Sequence, residues 1–144
     1  MLYFWVAIDN LCLTVMMFGL IFCVVDVMFL KSFFNSNQNQ IAITREQGSS
    51  FAKQMANDFN PLHDVEAKKF VVPGDLLFAI VLNNGGLYQN MSFTFNGMVT
   101  EKSLIRLQTT QTNHLDVVDQ NDKACMSVEF NGPHSSNDQL IEKL

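Results

Sequence analysis

Charge is scarce in this chain: only 16% of its 144 residues are Asp, Glu, Lys or Arg, against about 25% in an ordinary soluble domain. The nine Lys and Arg are outnumbered by fourteen Asp and Glu, for a net charge of −5. Without a cationic face to neutralise a run of phosphates, nucleic acid is excluded as a partner. Cysteine is scarce too. Cys12, Cys23 and Cys125 form an odd set without metal-ligand spacing, which excludes a disulfide framework, gives no metal site and fits a reducing compartment. Three prolines exclude a Pro-rich linker, and no internal repeat is present. What is abundant is apolar: 48% of residues are hydrophobic, too many for a disordered chain. The length predicts one domain with at most an appendage.

The apolar excess is concentrated at the start. Residues 1–34 read MLYFWVAIDNLCLTVMMFGLIFCVVDVMFLKSFF, with no charged residue from Leu11 to Val25. Residues 11–30 approach the roughly 20 apolar residues that a membrane-spanning helix needs, so an N-terminal apolar helix is expected. Lys31, on the far side of the run, would keep the body of the protein cytoplasmic, held to the inner face of a membrane. The competing reading makes residues 1–27 upstream sequence ahead of a start at Met28. Asn35-Ser36-Asn37-Gln38-Asn39-Gln40 is wholly polar and reads as a linker over 35–40, leaving 41–144 as the folded domain.

Within that domain Thr44-Arg45-Glu46-Gln47 has the form of a capping box. Phe51, Met55 and Phe59 then recur every fourth residue, predicting a helix that ends near Phe59, because Pro61 disfavours helical backbone at Asn60. Asp64 is expected to cap a short helical turn through Glu66, Ala67 and Lys68. Seven consecutive apolar residues, Leu76 to Leu82, lie between Asp75 as N-cap and a stop at Asn83-Asn84-Gly85-Gly86, predicting a buried helix. Beyond it the period becomes two. Met91, Phe93 and Phe95, and later Ala124, Met126, Val128 and Phe130, mark half-buried strands, with Cys125 facing outward and a less regular strand at Ser103 to Thr112. The expected class is α+β, an antiparallel sheet against a buried helix.

Chemistry is concentrated in Asp58-Phe59-Asn60-Pro61-Leu62-His63. On a continuous helix, Asp58 and His63 would point about 140° apart. The Asn60-Pro61 break allows a turn to bring both toward one cavity, where a carboxylate and an imidazole can handle one water by general acid–base catalysis. Gly74, leading into the buried helix, is the candidate N–H donor for a substrate oxyanion. His114, Asp116 and His63 have no recognisable metal spacing.

The stretch QIAITREQGSSFAKQMANDFNPLHDVEAKKFVVPGDLLFAIVL, residues 40–82, resembles the MaoC-like (R)-specific enoyl-CoA hydratase branch of the hotdog superfamily. It looks closest to an uncharacterised bacterial subfamily carrying the same D-x-N-P-x-H. The resemblance implies a hotdog-like sheet wrapped on a central helix, here short of strands, and a homodimer that hydrates enoyl thioesters without a cofactor. Asp58 and His63 would then activate water, Gly74 would bind the thioester oxygen, and Asn60 with Pro61 would position the turn. Pro73 stands where typical hydratases often carry histidine before that glycine. Two competing readings are a non-catalytic module that binds acyl-CoA or an acyl carrier, and a membrane-anchored interaction domain.

Overall fold

A computed structural model describes residues Phe4–Ala7 and Val27–Ser135. Strands β1 (Phe4–Ala7), β2 (Asn35–Asn37), β3 (Gln40–Ala42), β4 (Leu87–Phe95), β5 (Leu104–Gln111), β6 (His114–Val118) and β7 (Ala124–Ser135) form one sheet with two helices, α1 (Arg45–Gln54) and α2 (Gly74–Gly85). One further helical turn, Val27–Leu30, runs into a 3-10 turn at Lys31–Phe33. The sheet order is β1-β4-β7-β6-β5-β3-β2, with every pairing antiparallel.

Local chemistry accounts for most boundaries. Thr44 Oγ1 accepts the Gln47 N–H at 3.2 Å, and Gln47 Oε1 accepts the Thr44 N–H at 3.0 Å, so the capping box starts α1 as expected. The helix ends at Gln54, well before Phe59. Asn57 takes a left-handed φ of 51°, which asparagine tolerates better than most residues, and the Asp58 N–H reaches back to the Ala52 carbonyl at 2.8 Å. An asparagine thus stops the helix before the proline acts. Helix α2 starts two residues earlier than expected: Pro73, not Asp75, is the N-cap, and no side chain caps the first turn. Residues 64–72 contain turns and bends, with the Ala67 N–H closing a short turn on the Asp64 carbonyl at 3.0 Å.

Three sheet features correct the sequence reading. The polar run Asn35–Gln40, expected as a linker, is a hairpin arm and turn; Gln38 and Asn39 take φ of 46° and 70°, the two left-handed residues that a tight hairpin requires. The short strand β6, missed because His114-Leu115-Asp116 lacks clean alternation, returns along β5 after the Thr112-Asn113 turn. Cys125 is buried rather than outward. Val117 pairs with Met126 and Val118 with Ala124, so Cys125 is the extra residue of a bulge and the alternation resets around it.

These strands overturn the expected hotdog-like sheet, short of strands, wrapped on one central helix and preceded by an apolar helix. Residues 35–135 form a six-stranded antiparallel sheet carrying two short helices, and Phe4–Ala7 adds a strand along β4 instead of entering a helix. Among the described residues no helix is long and apolar enough to cross a membrane. Most of the 11–30 run lies outside the described residues.

The core lies between the helices and the sheet. Leu76, Leu77, Ala79, Ile80 and Val81 of α2 are buried with Met91 and Phe93 of β4, Ile105 of β5, Val117 of β6, and Met126 and Val128 of β7. Phe78 meets Phe93 with ring centroids 4.6 Å apart. Helix α1 contributes Phe51, whose ring meets Phe33 edge-on at 5.3 Å, and approaches the chain before α2 at Gly48, where a Cβ would lie 2.8 Å from Phe70 Cζ. Phe51 is fully buried, so Phe51→Ala is expected to cost about 3–5 kcal/mol through lost transfer energy and a residual cavity. Urea unfolding would show the midpoint fall with the slope unchanged.

Candidate functional site

The corner between α1 and α2 is built by two successive Asx turns. Asp58 Oδ1 accepts the Asn60 N–H at 2.9 Å, and Asn60 Oδ1 accepts the Leu62 N–H at 3.0 Å. Pro61 occupies the first position of the 3-10 turn Pro61–His63, where its fixed φ suits the turn and its missing N–H leaves no donor unpaired. The His63 N–H closes that turn on the Asn60 carbonyl at 2.9 Å. The types and spacing of D-x-N-P-x-H thus define the corner itself.

The corner turns His63 inward, leaving it 8% exposed. Its Nδ1 lies 2.7 Å from the Val71 carbonyl. A carbonyl oxygen only accepts, so Nδ1 carries a hydrogen and donates it. Leu62 joins the same segment by accepting the Val71 N–H at 2.9 Å. With Nδ1 committed, Nε2 faces Asp58 Oδ2 at 3.3 Å. The Asp58 carboxylate divides its work: one oxygen holds the backbone and the other meets the imidazole. Nε2 can accept a proton from water beside it, and the imidazolium so formed is paired with Asp58.

Asp75, treated in the sequence only as a cap, lies in the first turn of α2. Its carboxyl is pushed above the usual carboxylate range, first by desolvation and then by the Asp58 charge, while the His63 charge opposes the rise. A carboxylate in the first turn of a helix is ordinarily favoured; here burial and a like charge override that preference. Gly74 stands beside it at the start of α2. A Cβ there would lie 3.0 Å from Phe95 Cζ, so the glycine allows that ring to lie against the backbone. Asn60 and Pro61 act within the turn, as described.

Arg45 holds the loop that follows His63. Its guanidinium donates to the Val65 carbonyl at 2.9 Å, the Ala67 carbonyl at 2.8 Å and Glu101 Oε1 at 2.9 Å, and lies over the Phe70 ring at 5.6 Å from the centroid. Sequence periodicity placed Arg45 only within a capping box. The hydrogen bond from Arg45 and those of its own backbone hold the Glu101 carboxyl below its usual range.

Two other polar groups lie apart from the corner. On the sheet, Asp116 Oδ1 meets His114 Nε2 at 3.0 Å and accepts the Ser127 hydroxyl at 2.7 Å. Burial raises the Asp116 carboxyl, but these bonds outweigh it and the net direction is downward. No group of three or more His, Cys, Asp or Glu side chains that could hold a metal ion is found among the described residues. Burial pushes the Cys125 thiol up, a protonated and inert state rather than a nucleophile. A cavity of about 370 Å³ lies at the far end of α2, lined by Lys31, Phe34, Ser36, Ile41, Asn83 and Asn84.

Residues 28–144 match the model of a protein family of unknown function, DUF3581, and the chain belongs to that family. No curated protein matches the chain.

Because Glu101 is depressed in the folded state, its pairing contributes stability above the ordinary Glu range, lost as pH falls through the lowered value. Glu101→Gln should therefore be less stable than wild type at neutral pH, with the difference shrinking on acidification. Denaturant midpoints measured from neutral pH down to the onset of acid unfolding check this.

Proposed function

We propose that this member of the DUF3581 family is an acyl-thioester hydratase or dehydratase that adds water to, or removes it from, an enoyl-CoA-type substrate. The observation that carries the reading is the Asp58 Oδ2–His63 Nε2 approach of 3.3 Å with Nδ1 committed to the Val71 carbonyl. A water at this pair can lose a proton to Nε2 while Asp58 orients it, and its oxygen can form the bond to the β-carbon of a carbonyl-conjugated double bond. Charge then moves to the thioester oxygen, and as the carbonyl re-forms the proton held on Nε2 passes to the α-carbon, which closes the balance of one water added. The Gly74 and Asp75 N–H groups, at the start of α2 where no side chain caps the helix, are the available donors for that oxygen, the Gly74 N–H foremost.

Apolar surface beside the pair supports an acyl substrate. Phe59 is 65% and Leu62 43% exposed, each next in sequence to a member of the pair. Such exposed apolar side chains suit an alkyl chain better than a sugar or a phosphate. The chemistry as written needs no cofactor, and the resemblance of residues 40–82 to MaoC-like hydratases points the same way.

Purified protein is expected to consume crotonyl-CoA, followed by loss of the enoyl-thioester absorbance. Asp58→Asn and His63→Ala should each lower kcat/KM by about 10²–10⁴-fold, the range for a general acid–base group. Tight binding of acyl thioesters without turnover would assign a binding module instead. No turnover of enoyl thioesters of any chain length, on coenzyme A or on a carrier protein, would overturn the hydratase reading.

A further inference from the structure

The cavity of about 370 Å³ at the far end of α2 takes no part in the chemistry of the corner. Its size falls within the roughly 300–1,000 Å³ of small-molecule sites. One wall is a strand surface. Phe34 is extended and stands two residues before Ser36, and Ser36 pairs directly with Ile41 across the β2–β3 hairpin, so the three side chains share one face. Phe34 and Ile41 are nearly buried and make an apolar floor, with Lys31 and Ser36 exposed beside them. Gln47 fastens this wall to α1: its Nε2 donates to the Ser32 carbonyl at 3.2 Å, and its Oε1 accepts from Asn35 Nδ2 at 3.3 Å. Asn83 and Asn84 bring the last turn of α2 to the cavity from the other side. That turn carries no basic residue of its own to offset the partial negative charge of the helix end, and of its carbonyls that of Gly85 meets His134 Nε2 at 3.0 Å. Asn84 Nδ2 donates to the Ile80 carbonyl at 2.7 Å, which leaves Oδ1 as its open acceptor. Lys31 forms no ion pair among the described residues.

We propose that this cavity binds an apolar α-amino acid of about the size of leucine. The cavity sets a cation and a hydroxyl on one side against an acceptor and the negative end of a helix on the other, over an apolar floor. A zwitterion matches both sides at once. Its carboxylate meets the Lys31 ammonium and accepts the Ser36 O–H, its ammonium donates to Asn84 Oδ1 at the end of α2, and its branched side chain covers Phe34 and Ile41. A simple carboxylate would bring an anion to the helix end and leave the Asn84 acceptor unpaired; a simple amine would set a second cation beside Lys31. Binding here does not depend on hydratase activity, because the cavity and the Asp58–His63 corner lie at opposite ends of α2.

Calorimetric titration of the full-length protein with L-leucine tests this. One saturable site is expected. Lys31→Gln should weaken it by about tenfold or more, the effect of losing one hydrogen bond to a charged group, whereas Lys31→Arg should retain it. Ser36→Trp, at an exposed position, should fill the space and abolish binding while the urea midpoint stays where it is. Leucine without its ammonium, 4-methylpentanoate, and leucine without its carboxylate, 3-methylbutylamine, should each bind about tenfold more weakly or worse. Glycine, which has no side chain for the apolar floor, should not compete. Absence of saturable binding for leucine, isoleucine and valine overturns the proposal. So does leucine affinity that is undiminished in both Lys31→Gln and Ser36→Trp, or 4-methylpentanoate binding as tightly as leucine. Affinity that falls in His63→Ala and not in Lys31→Gln would place the amino acid at the corner instead and likewise overturn it.

Discussion

One hydrogen bond makes a site out of a loop: His63 Nδ1–H to the Val71 carbonyl. It spans the irregular segment between the two helices and holds a nearly buried ring that would otherwise rotate. It also fixes which nitrogen bears the permanent hydrogen. Through it Nε2 is aimed at Asp58, and through the chain leaving Val71 the ring is tied to the start of α2, where Gly74 and Asp75 lie. An imidazole with both nitrogens free would be a surface base among many; one with a committed Nδ1 has a single reactive atom in a defined place.

Support for that bond comes from outside the corner. Arg45 clamps the Val65 and Ala67 carbonyls and is itself held by Glu101, so the loop between His63 and Val71 is fastened along its length. Val72 continues the same tie by donating to the Val99 carbonyl at 2.8 Å, beside the turn that carries Glu101. Behind these polar contacts Phe70 and Val72 are buried in the core against the helices. The order of construction is therefore core, clamp, corner and then site. The exposed Phe59 and Leu62 are what this arrangement leaves uncovered.

Features fixed by neighbours in sequence were legible. Thr44 and Gln47 cap α1, the Leu76–Leu82 run is a buried helix, and Met91 and Phe93 face the core of β4, because each depends on spacing of four residues or fewer. The turn at Asn60-Pro61 belongs to the same class. Features fixed by distant partners were not. Asn35–Gln40 is polar enough to pass for a linker until β3 and β5 give it a sheet to extend. By sequence alternation alone Cys125 points outward, until its pairing with β6 introduces a bulge. Asn57 is the exception, a local signal that the proline overshadowed: asparagine is a known helix stop, and its left-handed backbone ended α1 early.

The close approach at Gly48 extends the influence of the core to the corner that holds His63. Position 48 has no side chain, and the space one would need is taken by the Phe70 ring, with Pro73 Cδ only 3.4 Å from the same point. Phe70 precedes the carbonyl that holds His63, and Pro73 precedes the first amide of α2. A single methyl group introduced on the rear of the first helix would press on both at once. The spacing between His63 and the start of α2 would thus be adjustable from behind, by a residue outside the corner.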